Sequence, residues 1–147
     1  MLRARQIRYD ELDKLLELYK FLNPDDPDIG SDEETRIIWD EIMNNPGQSI
    51  WVIDFKGSLV ASCTLVIVKN LTRGGCPYGL IENVVTHGDY RRMGFGRAVL
   101  EKAIETAKEN GCYKVMLMSG RKDEGTLSFY EKIGFERGVK TGFCIKF

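Results

Sequence analysis

Along the chain the apolar positions change period several times, and each change marks an element. Residues 2–8 alternate apolar and polar side chains, which predicts a short strand. Asp10 follows where a helix N-cap belongs, with Asp13 three residues on. Leu12, Leu15, Leu16 and Tyr19 then recur at helical spacing as far as Asn23-Pro24-Asp25-Asp26-Pro27-Asp28, where two prolines forbid continuation. Ser31 and Glu34 make a capping box for a second helix, whose apolar face is Ile38, Trp39 and Ile42 and whose end falls near Asn44-Asn45-Pro46-Gly47.

The period then shortens. Residues 49–55 and 58–68 are rich in Val, Ile and aromatics, and Lys56-Gly57 between them predicts a tight hairpin. A Gly/Pro-containing turn over 70–79 leads to a third strand at 80–86. Val99, Leu100, Ala103, Ile104 and Ala107 mark a helix over 94–110 that Gly111 ends. A short buried strand at 115–118, a helix over 124–133 closed by Gly134, and a last strand or strand pair in 135–147 complete the pattern. The order, βααβββαβαβ(β), predicts an α+β domain with a mixed central sheet flanked by helices, spanning 1–147 as one unit. The strands on either side of the 94–110 helix should run parallel.

Charge and cysteine content narrow the chemistry. Lys and Arg number 21 against 22 acids, a formal charge of -1, and they are scattered rather than clustered, so a nucleic-acid partner is not expected. Cys63, Cys76, Cys112 and Cys144 form no CxxC pair and His87 stands alone, which argues against a zinc site and for a reduced compartment. No apolar run approaches bilayer length, so a cytoplasmic location without membrane attachment is expected.

The strand-to-helix junction carries the strongest chemical signal. Arg91, Gly94 and Gly96 leave a strand and enter a helix. Glycines there let successive N–H groups face one concavity at a helix N-terminus, a turn suited to phosphate, with Arg91, Arg92 and Arg97 close by. Glycine also closes such turns for steric reasons alone. No Gly-Lys-Ser/Thr follows, and the third glycine of a dinucleotide fingerprint is replaced by Val99.

The stretch Glu82-Asn83-Val84-Val85-Thr86-His87-Gly88-Asp89-Tyr90-Arg91-Arg92-Met93-Gly94-Phe95-Gly96-Arg97, followed by Phe129-Tyr130-Glu131-Lys132-Ile133-Gly134-Phe135, resembles the GCN5-related N-acetyltransferase (GNAT) superfamily. A shorter likeness, at 111–115 and 129–135, is to its glucosamine-6-phosphate N-acetyltransferase branch. The resemblance implies a GNAT-like acyl-CoA N-acyltransferase fold and acetyl-CoA as cosubstrate, with no metal. It places the pantetheine arm on the main chain of Val84, Val85 and Thr86, and the pyrophosphate on the amides of Arg91, Arg92, Met93, Gly94, Phe95, Gly96 and Arg97. It makes Tyr130 the group that meets the CoA sulfur. Asp123 stands where many members carry asparagine, so it either contacts CoA or caps a helix.

Glu82 is a separate reading. It lies inside an apolar strand, on an expected face with Val84, where a carboxylate must be paired or face a cleft. There it either takes the proton an incoming amine must shed or serves a structural ion pair. Three functions fit: N-acetylation of a small-molecule amine, acetylation of a protein or peptide, or a catalytically silent acyl-CoA-binding regulatory domain. The alternation of Phe143, Ile145 and Phe147 suits a homodimer edge as well as an internal strand.

Overall fold

The computed structural model describes residues 3–30 and 32–147. Its sheet runs in the order β1 (Arg5–Gln6), β2 (Gln48–Phe55), β3 (Ser58–Val68), β4 (Tyr78–Thr86) and β5 (Val115–Leu117). The first four are antiparallel neighbours, and β4 and β5 are parallel, joined through helix α3 (Phe95–Glu109). Helices α1 (Leu12–Tyr19) and α2 (Glu33–Asn44) cover one face, while α3 and α4 (Glu124–Ile133) cover the other. Period two sorts β2 between them: Ile50 and Val52 pack with Leu15, Leu18 and Trp39, and Trp51 and Ile53 pack with Val99, Leu100 and Ala103. With both faces covered, the middle of β2 reads as a continuous apolar run.

Local chemistry sets the element ends. Lys56 and Gly57 have φ of 54° and 86°, the paired left-handed residues of a two-residue hairpin whose twist suits its strands. The expected cap at Ser31 lies outside the described residues; Asp32 caps α2, accepting the Thr35 N–H at 2.9 Å. Asp10 does not cap α1 and is exposed. A short 3-10 turn, Tyr9–Glu11, precedes α1 instead, and at its start the Glu11 carboxylate accepts the Arg8 N–H at 2.8 Å. Arg5 grips the same carboxylate with both guanidinium arms at 2.8 and 2.9 Å, tying β1 to the helix entrance.

The expected last strand in 135–147 does not form. After α4 the Phe135 N–H bonds to the Tyr130 carbonyl, and Gly138 turns at φ 79°. Phe143 and Ile145 are then 90% and 83% exposed, and β5 remains an edge strand. The alternating pattern records a segment able to pair, but pairing needs a neighbouring edge in reach. Within this chain the tail forms no ladder with β5.

Buried Glu11 generates a stability prediction. Its hydrogen bonds from Arg5, above all, hold its pKa down from 4.5 to about 2 against the opposing effect of burial. A carboxylate depressed in the folded state stabilises fully above its ordinary pKa and loses that contribution as pH falls from 4.5 towards 2. Glu11→Gln should therefore cost roughly 3 kcal/mol at pH 7, as expected for breaking a buried pair. Denaturant titration should show the gap from the parent protein closing through that acidic window; a gap independent of pH would contradict the assignment.

Candidate active site

The strands β4 and β5 are paired at only three positions, Gly79 with Val115, Leu80 with Met116 and Ile81 with Leu117. Beyond them β5 stops, while β4 continues to Thr86 without a strand on that side. A cleft of about 810 Å³ fills the wedge. One wall is residues 82–86 and the other 117–121; Arg91, Arg92 and Gly96 close one end, and Phe129 and Tyr130 of α4 line it as well.

A bulge lies in the same strand. Across β3, Thr64 faces Glu82 and Ser62 faces Val85, so Asn83 and Val84 together oppose one residue, Cys63. Asn83 takes φ 52°, a left-handed conformation that asparagine tolerates better than most side chains. The extra residue breaks the alternation. Val84 packs towards α3, whereas Glu82, opposite Thr64, shares the α1/α2 side with Val85. The expectation that Glu82 and Val84 lie on one face is therefore corrected.

The 91–97 run divides by task. Arg92 and Gly94 are left-handed, at φ 62° and 83°, and Gly94 is the N-cap of α3. The first helical bond is Ala98 N–H to the Gly94 carbonyl, so amides of the first turn have no partner inside the helix. At Gly96 a Cβ would stand 3.0 Å from Thr86 Oγ1 and 3.4 Å from Phe129 Cζ, so glycine lets the helix end approach the strand. Phe95 is buried in the core, Met93 is half exposed, and Arg97 pairs along α3 with Glu101 at 2.6 Å. Arg91 and Arg92 are the cations of this run at the cleft. Free amides at a positive helix end, a missing Cβ and two arginines fit an anionic diphosphate carrier.

Tyr130 and Glu82 both line the cleft. The Tyr130 ring is set by Phe129 and Phe135, with centroids at 5.2 and 6.2 Å, and burial pushes its phenol up from 10.0, so it keeps its proton at neutral pH. Glu82 is exposed and has no ion-pair partner among the described residues. Asp123 also lines the cleft, but its carboxylate caps α4, accepting the Thr126 N–H at 3.0 Å and the Thr126 hydroxyl, and these bonds lower its pKa.

Sequence reasoning missed Asn83 and Phe21, both at the cleft. Phe21 reaches it by stacking on His87, centroids 4.2 Å apart, which holds the end of α1 over the wedge. The signal for Asn83 was present as a polar pair, Glu82-Asn83, interrupting an apolar strand.

A family model described as Acetyltransferase (GNAT) family matches residues 15–135. The glucosamine 6-phosphate N-acetyltransferase of Trypanosoma brucei brucei is 44% identical over 79 residues, 54% of this chain and 52% of that protein. The chain thus spans about half the length of the curated relatives it matches. A solved chain from Agrobacterium tumefaciens str. C58 is 45% identical over 97% of this chain and 98% of its own, with a TM-score of 0.91. The glucosamine-6-phosphate N-acetyltransferase from Arabidopsis thaliana is 27% identical over 100% of this chain and 98% of its own, with a TM-score of 0.86. Since the family model covers most of the sequence and runs through both the bulged strand and the Tyr130 helix, the chain belongs to the GNAT acetyltransferase family.

Proposed function

We propose that this protein transfers the acetyl group of acetyl-CoA to a primary amine of a small molecule by direct attack in a ternary complex. The observation that carries the reading is the single wedge that brings the first turn of α3, the free edge of β4, Glu82 and Tyr130 to one cleft. The diphosphate would lie on the amides of residues 91–97, and the pantetheine amides along the open main chain of Val84 to Thr86. The amine nitrogen attacks the thioester carbon, with a backbone N–H near Val84 or Val85 holding the oxyanion. The C–S bond breaks, and the sulfur takes a proton or a hydrogen bond from Tyr130. An amine with a lysine-like pKa near 10.4 arrives protonated, and Glu82 accepts its proton through water.

Relatives named as glucosamine 6-phosphate N-acetyltransferases support a small-molecule amine as the acceptor class. A protein acceptor needs a groove that admits a chain. A silent acyl-CoA-binding domain would have no use for an unpaired cleft carboxylate opposite a protonated phenol. The exposed C-terminal alternation of Phe143 and Ile145 supports a homodimer in which that segment meets the open edge of a second copy.

Thiol release from acetyl-CoA with a panel of amines tests the reading. Tyr130→Phe should lower kcat about tenfold or more with little change in KM for acetyl-CoA, the low end for a general acid because a thiolate leaves easily; full retained rate would remove Tyr130 from the reaction. Glu82→Gln should slow turnover most at low pH, where the acceptor is almost wholly protonated, with the deficit shrinking as pH nears the amine pKa. An unchanged pH profile would count against a base.

A further inference from the structure

A second cavity, of about 460 Å³, lies between α1, α2 and the sheet, within the volume range of small-ligand sites. It meets the donor cleft at Asn23 and Asn83, which line both. We infer that this cavity is the acceptor pocket and that it takes a primary amine with an apolar aryl or alkyl body, not a phosphorylated sugar. The inference rests on the acetyl-transfer reading above and names its acceptor class.

Three features support it. The first is the junction. Its polar groups are Tyr19, Asn23, Thr64 and Asn83, and Thr64 is the cross-strand partner of Glu82. Burial raises the Tyr19 phenol, and the adjoining Thr64 and Asn83 side chains pull it partly back, so the three groups share one small polar patch. An amine nitrogen held there stands beside the bulge, between Glu82 and the open main chain of β4. The left-handed backbone of Asn83 is what turns that residue to both cavities.

The second feature is the wall. Leu12, Leu16, Ile38 and Ile42 line it, with the Trp39 ring behind them and its indole N–H already donated to the Tyr9 carbonyl at 2.9 Å. Sugar hydroxyls against this face would lose water without gaining partners, whereas an apolar body loses nothing; the uncharged polar lining away from the junction is Gln48 and Thr35, whose hydroxyl is already donated to the Ile29 carbonyl at 3.0 Å. The third is charge. Lys20 is the one cation among the described lining residues, and it is paired with Glu17 at 2.8 Å. Asp26 and Asp28 stand at the same cavity. A phosphate dianion would meet two carboxylates and no free cation, while an ammonium would be drawn in.

The test compares phenethylamine and hexylamine with glucosamine and glucosamine 6-phosphate at saturating acetyl-CoA, and measures phenethylamine binding to the CoA complex by calorimetry. The expected result is a kcat/KM at least about tenfold higher for phenethylamine than for glucosamine 6-phosphate. Ile38→Trp, at a half-exposed position that tolerates bulk, should raise KM for phenethylamine about tenfold and leave KM for acetyl-CoA unchanged. Preference for glucosamine 6-phosphate, or indifference of phenethylamine to Ile38→Trp, would overturn the acceptor class while leaving acetyl transfer intact. Calorimetric binding of phenethylamine that Ile38→Trp abolishes, with no turnover of any amine, would support the pocket and defeat the acetyl-transfer reading instead.

Discussion

The structure depends on the parting of β4 from β5. A strand inside a sheet satisfies its main-chain groups on both sides, but beyond Ile81 β4 has a strand only on the β3 side. Buried amides and carbonyls left in that state must find other partners. The wedge therefore asks for a ligand with its own alternating donors and acceptors, which is the chemistry of a pantetheine arm. The bulge at Asn83 and Val84 belongs to the same device, since an extra residue increases local twist and bends the strand away from its neighbour. It also re-aims the side chains, sending Glu82 to the α1/α2 side and Val84 to the α3 side.

The two sides of the sheet are held separately. The α3 side is fixed by packing: Val99, Leu100, Ala103 and Ala107 are fully buried, and Gly79 lets the strand lie against Leu65 and Val115, where a Cβ would stand 3.1 and 3.3 Å from their side chains. That anchors the α3 N-terminus on which the free amides sit. The α1/α2 side has its own core, Leu15, Leu18 and Trp39 against Ile50, Val52 and Val85, and adds local ties, with Glu11 gripped by Arg5 and Arg8 at the helix entrance and Phe21 stacked on His87 at its exit. Periodic apolar burial thus fixes both sides, while ties at the ends of α1, Arg5 with Asp54 and Phe21 with His87, join residues far apart in sequence.

This difference decides what could be read from the residues alone. The strands, α3 and α4 were legible because their apolar periods and terminal glycines agree, and Gly111 and Gly134 do end the helices where expected. The turn into α3 was legible because its glycines and arginines are contiguous. The parallel pairing of β4 with β5 followed from the crossover rule. The Glu82 facing failed because period two assumes an unbroken strand, and a bulge announces itself only as a polar pair. The C-terminal strand failed for another reason: alternation states what a segment can do, while pairing depends on an edge that no local pattern locates. The sheet's share of the second cavity was illegible because Thr64 and Asn83 are distant in sequence from Tyr19 and meet it only through tertiary packing.

The position of Cys63 bears on how the acetyl group moves. It is the residue opposite the bulge, and a thiol there invites the thought of an acetyl-cysteine intermediate. Its surroundings oppose that. Cys63 is fully buried, its Sγ–H donates to the Val99 carbonyl at 3.4 Å, and burial pushes its pKa up to about 12. At pH 7 the nucleophilic thiolate would be on the order of one part in 10⁵, and forming it would leave an unpaired charge in the core. The neighbouring Tyr130 phenol feels the same apolar setting, which keeps it protonated and able to serve a departing sulfur. One low-dielectric environment thus disables the thiol as a nucleophile and preserves the phenol as a donor, which favours attack by the amine itself.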